Sequence, residues 1–161
     1  MKKTRELHAA LLRLVGFLNS PQADAALLSE AKIVLDRALF PLLVRIERLG
    51  PIGVGRLAEL AGRDYTTVSR QTAKLEEDGL IVRQSVDHDR RVTSLATTAK
   101  GRKVAKALDE ARNRLVGPVL SRWPERDVDE FVRLLEKFVD DAEQRIKNLD
   151  RVEPKPTRRR K

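Results

Sequence analysis

The fold turns on GPIGVGRLAELAGRDYTTVSRQTAKLEEDGL, residues 50–80. Val54, Leu57, Ala58, Leu60 and Ala61 pack a two-turn helix that Gly62 ends, where a left-handed residue closes helices at least cost. Asp64 is the N-cap of a second helix, running from Tyr65 to about Asp78, with Val68, Thr72, Leu75 and Tyr65 as its buried stripe. Thr66, Thr67, Ser69, Arg70, Gln71 and Lys74 take the opposite face. After Asp78-Gly79 the pattern changes from period 3.6 to extended. Leu80-Ile81-Val82 runs out, Val86-Asp87-His88-Asp89 turns, and Arg91–Ala96 returns, a two-stranded hairpin with a charged tip.

Helical periodicity flanks this unit on both sides. Leu7, Leu11, Leu14 and Leu18 line one helix face, which Asn19-Ser20-Pro21 stops. A second pattern spans about Ser29–Leu49 on Leu35, Leu39, Leu42, Ile46 and Leu49, with a kink or a local break expected at Pro41. Beyond Gly101, Val104, Ala107, Leu108, Ala111 and Leu115 share a face as far as Gly117-Pro118. A last helix from about Glu125 to Leu149 carries Val128, Phe131, Leu135, Phe138, Ala142, Ile146 and Leu149, and at about 1.5 Å per residue is on the order of 35 Å long. The fold class is therefore mainly α with a small β-hairpin wing (α+β). A winged helix-turn-helix lobe occupies about 35–100 within a single domain, 1–150, whose terminal helices (about 4–28 and 101–149) form a helical dimerisation region. Residues 151–161 make a disordered basic tail.

Composition narrows the function. The 161 residues carry 33 Lys+Arg against 24 Asp+Glu, a net +9, and no Cys. Six cations and one anion fall in Arg151–Lys161, so +5 of that excess is in the tail and +4 is spread over the rest. Such a tail adds sequence-independent attraction to phosphates, or simply solubility. Without Cys there is no disulfide, thiolate nucleophile, thiolate metal site or thiol-based oxidant sensing. The two histidines, His8 and His88, stand far apart, and His88 is an exposed turn residue rather than a ligand. With no glycine-rich phosphate loop and no metal-ligand spacing, the sequence points to no enzyme, metal or cofactor. No apolar run reaches a membrane-spanning length and no signal peptide opens the chain, which suggests a soluble cytoplasmic protein.

The positive reading is duplex DNA. A helix fits the major groove, and short hydroxyl residues at Thr66, Thr67 and Ser69 allow close approach. Arg70 can fork onto guanine O6 and N7, Gln71 can pair with adenine N6 and N7, and Lys74 finds a phosphate. The acidic run Glu76-Glu77-Asp78 lies at the far end of that helix. In the wing, Arg90 and Arg91 can reach the minor groove while Asp89 orients an adjacent arginine. The terminal helices have more apolar stripe than the winged unit can cover. Self-association would bury it, and a two-fold axis would match a two-fold operator.

Gly50–Ala61, Thr67-Val68-Ser69-Arg70, Leu75–Leu80, Asp89-Arg90-Arg91 and Thr98-Ala99-Lys100-Gly101 together resemble a MarR-family regulator. The resemblance implies an intertwined homodimer bound to a pseudo-palindromic operator, acting as a repressor released by a small, often aromatic ligand between the dimer helices and the DNA-reading lobe. Two positions depart from the family pattern. Gly53 stands where a Thr or Ser cap is common, and Tyr65 where the recognition helix often begins with Pro or a small residue. Two other readings compete: a sequence-indifferent nucleoid-type DNA binder driven by net charge, and a winged protein–protein adaptor that has lost DNA contact.

Overall fold

The computed structural model of the chain describes the backbone of residues 2–86 and 89–152, and the side chains of residues 2–84 and 94–149. The described elements run α1 (Lys2–Leu18), α2 (Pro21–Ala31), α3 (Phe40–Leu49), α4 (Val54–Ala61), α5 (Tyr65–Glu77), β1 (Ile81–Val86), β2 (Asp89–Thr97), α6 (Ala99–Leu120) and α7 (Glu125–Val152). The strands pair antiparallel, from Ile81 opposite Thr97 to Ser85 opposite Thr93. Ile52, just ahead of α4, exchanges both backbone hydrogen bonds with Leu95 (3.1 and 2.8 Å), which staples the wing to the helix-turn-helix.

Within the unit that ends at Leu115, two apolar clusters tie α2–α6 and the hairpin together. The larger joins α3, α4, α5 and the hairpin through fully buried Leu42, Leu43, Ile46, Leu57, Val68, Leu75, Ile81 and Leu95. The smaller sets Leu27 of α2 and Phe40 and Val44 of α3 against Leu108 and Ala111 of α6. Arg114 supports it from outside by donating from Nε to Glu30 Oε1 at 2.5 Å.

The expected helix over Ser29–Leu49 is two helices with a break at 32–39. Lys32 adopts φ 56 and its N–H caps the Leu28 and Ser29 carbonyls, ending α2 in a left-handed residue. Of the kink or local break expected at Pro41, the structure has the break, placed just ahead of it, and Pro41 itself opens α3 from its first turn, where a missing N–H costs no hydrogen bond. Pro21 opens α2 in the same way, with the Ser20 side chain accepting from the Ala23 N–H at 3.1 Å. At the other end, Gly117-Pro118 does not stop α6, which continues to Leu120.

The wing joins α6 through Thr98. Its hydroxyl donates to the Gly79 carbonyl (2.7 Å) and accepts from the Gly101 N–H (3.0 Å), while its own N–H donates to the Leu80 carbonyl (3.0 Å). The remaining unit, from Val116 onward, contains α7 and an edge-to-face contact between Trp123 and Phe131 with ring centroids 5.7 Å apart. Phe131, Leu134, Leu135, Phe138, Val139 and Ile146 of α7 are between 36% and 60% exposed. No residue of α1 is buried either.

Candidate nucleic-acid interface

The turn between α4 and α5 is built backwards from two residues. Gly62, at φ 61, sends its N–H to the Ala58 and Glu59 carbonyls, a conformation that costs a residue with a Cβ. Two residues on, Asp64 accepts from the Thr67 N–H at 2.8 Å and caps α5. The Thr67 hydroxyl and then the Thr67 N–H hold the Asp64 carboxyl below the usual carboxylate range, and the charge of Arg70 adds to this. Gly53 fills the cap position of α4 with no side-chain hydrogen bond, the loss its sequence position implied.

α5 divides as its pattern predicted on the inner side, where Val68, Thr72 and Leu75 are buried. The Thr72 hydroxyl donates to the Ser69 carbonyl at 3.0 Å and accepts from Arg83 Nη2 at 3.4 Å, so its burial leaves no orphan. Tyr65, expected on that stripe, is instead 60% exposed. Helical side chains lean toward the N-terminus, so a first-turn residue overhangs the start of the helix rather than its packed side. Thr66, Arg70, Ala73 and Lys74 are exposed with it, whereas Thr67, Ser69 and Gln71 are half-buried. Ala73 was absent from the expected set. The signal was its place three residues beyond Arg70 and four beyond Ser69, where a methyl group keeps the outer face low.

Charge on this face is arranged rather than merely positive. Among the described residues Arg70 forms no ion pair. Lys74 Nζ lies 3.0 Å from Glu77 Oε2 and 3.2 Å from Asp78 Oδ1, and these acceptors raise its proton affinity. Arg83 of β1 donates from Nε to Glu76 Oε2 at 2.9 Å. Every carboxylate of the acidic run thus faces a cation of this chain. Exposed pairs of this kind are weak enough to be exchanged for phosphate.

Behind the outer face, Arg63 Nη1 donates both to the Ala38 carbonyl and to Gln71 Oε1, each at 3.0 Å. Arg45 sits nearby, donating to the Pro41 carbonyl at 3.2 Å, and burial followed by the charge of Arg63 lowers its proton affinity. Between residues 34–39 and α5 lies a hollow of about 570 Å³, with Val34, Leu35 and Leu39 on one wall and Arg70, Gln71 and Lys74 on the other.

In the wing, Asp89, Arg90 and Arg91 belong to β2, but their side chains lie outside the described residues, as does His88. The backbone register shifts between Ser85 and Val86, because Val86 pairs with Asp89, and this puts Arg90 and Arg91 within the irregularity. Bulged strands of this kind twist and re-aim side chains. α7 runs to Val152 rather than ending near Leu149, so Arg151 and Val152 of the tail expected over 151–161 are helical, and the rest of it, 153–161, lies outside the described residues. Among those described, no three His, Cys, Asp or Glu side chains group as metal ligands, and no helix is long and apolar enough to cross a membrane.

Comparison with known proteins gives one family. The family model described as MarR family matches residues 35–93. The HTH-type transcriptional regulator YxaD of Bacillus subtilis (strain 168), whose own role is uncharacterised, is 34% identical over 104 residues, covering 65% of this chain and 73% of the relative. Among solved structures, the transcriptional regulator SlyA superposes with TM-score 0.69 at 22% identity, over 86% of this chain and 98% of that one. A MarR family protein from Bacillus stearothermophilus gives 0.71 at 22% identity, over 88% and 97%. The transcriptional regulator BldR from Sulfolobus solfataricus gives 0.68 at 24% identity, over 88% and 99%. At these identities the solved structures establish the fold, a winged helix-turn-helix within a mainly helical chain.

Proposed function

Because the chain belongs to the MarR family of transcriptional regulators, we propose that it acts in the cytoplasm as a homodimer. It binds a pseudo-palindromic operator in double-stranded DNA and represses transcription until a small molecule releases it. The observation that carries the reading is the outer face of α5. It joins a low surface at Thr66 and Ala73, an exposed cation at Arg70 and an exchangeable one at Lys74, on a helix anchored at its start by Gly62 and Asp64. That combination suits entry into a major groove with contacts to both bases and phosphates. Thr67, Ser69 and Gln71 flank the face. In the wing, Arg90 and Arg91 grip the adjacent minor groove while Asp89 orients an adjacent arginine.

The exposed stripe of α7 supports self-association, since a second copy would remove those side chains from water at about 25 cal/mol per Å² of apolar surface. The hollow beside α5 offers the effector its seat: aliphatic walls for an aromatic ring, and Arg70 and Lys74 for an anionic substituent. A ligand held there would occupy cations that the operator needs.

The test is selection of genomic fragments by the purified protein, followed by competition against random DNA at physiological salt. An operator with half-sites about 34–36 Å apart is expected. Arg91→Ala should weaken binding to all sequences alike. Equal affinity for selected and random DNA would favour the nucleoid-type reading, for which the net charge of +9 speaks.

A further inference from the structure

Gln71 stands at the edge of the α5 face with Arg63 directly behind it, and the hydrogen bonds between them decide how its amide is turned. A guanidinium has donors and no acceptor, so the Gln71 atom 3.0 Å from Arg63 Nη1 must be the oxygen. The same Nη1 spends its second hydrogen on the Ala38 carbonyl, also at 3.0 Å. That carbonyl belongs to the backbone just ahead of α3, so Arg63 is moored on its far side and does not follow Gln71 outward.

We propose that Arg63 sets which base edge Gln71 reads. This rests on α5 entering the major groove as described above. A glutamine free to turn pairs with adenine by donating to N7 and accepting from the N6 amino group. With Oε1 held inward, Gln71 offers the duplex only the N–H donors of Nε2. Against adenine, those donors find one acceptor, N7, and beside it the N6 amino group, donor against donor. Against guanine they meet O6 and N7, which are both acceptors. Thymine likewise supplies a single acceptor, O4. Arg63 therefore turns an adenine-reading side chain into a guanine-reading one. Arg63 itself touches no base and is a positioning residue.

The test is selection from a randomised duplex library with the wild type, Gln71→Ala, Arg63→Met and Arg63→Lys. The wild type should enrich guanine over adenine at one base pair of the site, and Gln71→Ala should flatten that preference and no other. In Arg63→Met the oxygen is freed, and the guanine-to-adenine ratio at the same base pair should fall by about tenfold or more, the size of one good bidentate contact. Arg63→Lys keeps a donor within reach of the Gln71 oxygen and should keep guanine. Uniform weakening by Arg63→Met, with base preference unmoved, would mean that Arg63 only supports the fold, and overturns the inference. So does an adenine preference in the wild type that Gln71→Ala removes, a result that does not depend on any Arg63 variant folding. If the wild type enriches no sequence at all, the operator reading falls and this inference falls with it. An enriched operator that is indifferent to Gln71 overturns the inference alone.

Discussion

Replacing Gly101 by alanine adds one methyl group where the first turn of α6 crosses the end of the α5–β1 turn. A Cβ there would stand 2.9 Å from the carbonyl carbon of Leu80 and closer still to its oxygen, whereas ordinary contact begins at 3.4 Å. The obstacle is backbone, so no side chain can rotate out of the way. α6 or the Leu80 peptide must retreat by more than an ångström to clear that oxygen, and the Leu80 carbonyl is the acceptor for the Thr98 N–H at 3.0 Å and the Thr98 hydroxyl at 3.3 Å. Overpacking costs about 1–3 kcal/mol, and a strained or lost hydrogen bond at this nearly buried turn adds about 0.5–1.5 kcal/mol. Against this, alanine is favoured over glycine in a helix interior by about 0.8–1.0 kcal/mol, and by less in a first turn. The net is a destabilisation of about 2–3 kcal/mol, or roughly 5–10 °C in Tm for a chain of this size.

The matched control is Gly55→Ala in α4, where an added Cβ meets nothing within 4 Å. There only the helix preference acts, and stability should rise by up to about 0.5–1 kcal/mol. Both variants are melted by circular dichroism at one fixed protomer concentration, because an associating protein has a concentration-dependent Tm. Opposite signs are expected. If Gly101→Ala melts at or above the wild type, α6 does not press on Leu80 and the placement of the wing against α6 is wrong.

Three further outcomes can be checked with the same protein. The depressed pKa of Asp64 stabilises the fold fully above the unfolded carboxyl value of about 3.9 and is lost as pH falls through the lower folded value. Asp64→Asn keeps a cap but cannot titrate, so the urea midpoint of the wild type relative to it should decline below about pH 4, and a pH-independent difference refutes the linkage. Lys32 holds φ 56 without being glycine, so Lys32→Gly should raise the unfolding free energy by about 0.5–1 kcal/mol, and a decrease would mean that its side chain matters more than its backbone. Phe138→Glu, in the exposed stripe of α7, should leave helix content intact while sedimentation shows single chains and operator affinity drops. A dimer that persists would place the interface elsewhere.

What the sequence disclosed and what it hid follow from the range of the interactions involved. The α4–α5 turn was legible because its determinants are local: Gly62 needs a positive φ, and Asp64 reaches a donor three residues on. The buried stripe of α5 was legible from Val68 to Leu75 for the same reason. The interruptions expected at Pro21 and Pro41 are present, but each proline opens the helix that follows, because at a helix start its missing N–H removes a donor that would have had no partner in the helix. The coupling of Arg63 to Gln71 and Ala38, of Arg83 to Glu76, and of Arg114 to Glu30 was invisible, because nothing in the spacing of these residues fixes which surfaces meet.

The distribution of burial carries a functional consequence of its own. The DNA-reading lobe has a complete core: every member of its larger apolar cluster comes from residues 39–95. α1 buries nothing, and α7 exposes a stripe of leucine, valine and phenylalanine. The lobe can therefore hold its own shape, while the terminal helices are left to draw their stability from a partner. In the proposed dimer, the packing that covers α7 also fixes the distance between the two copies of α5, and that distance must match successive grooves. Operator affinity then responds to anything that shifts the helical packing, even where α5 is untouched. A substitution in the α7 stripe that preserves the dimer but alters its geometry should weaken palindromic binding while leaving binding to an isolated half-site unchanged.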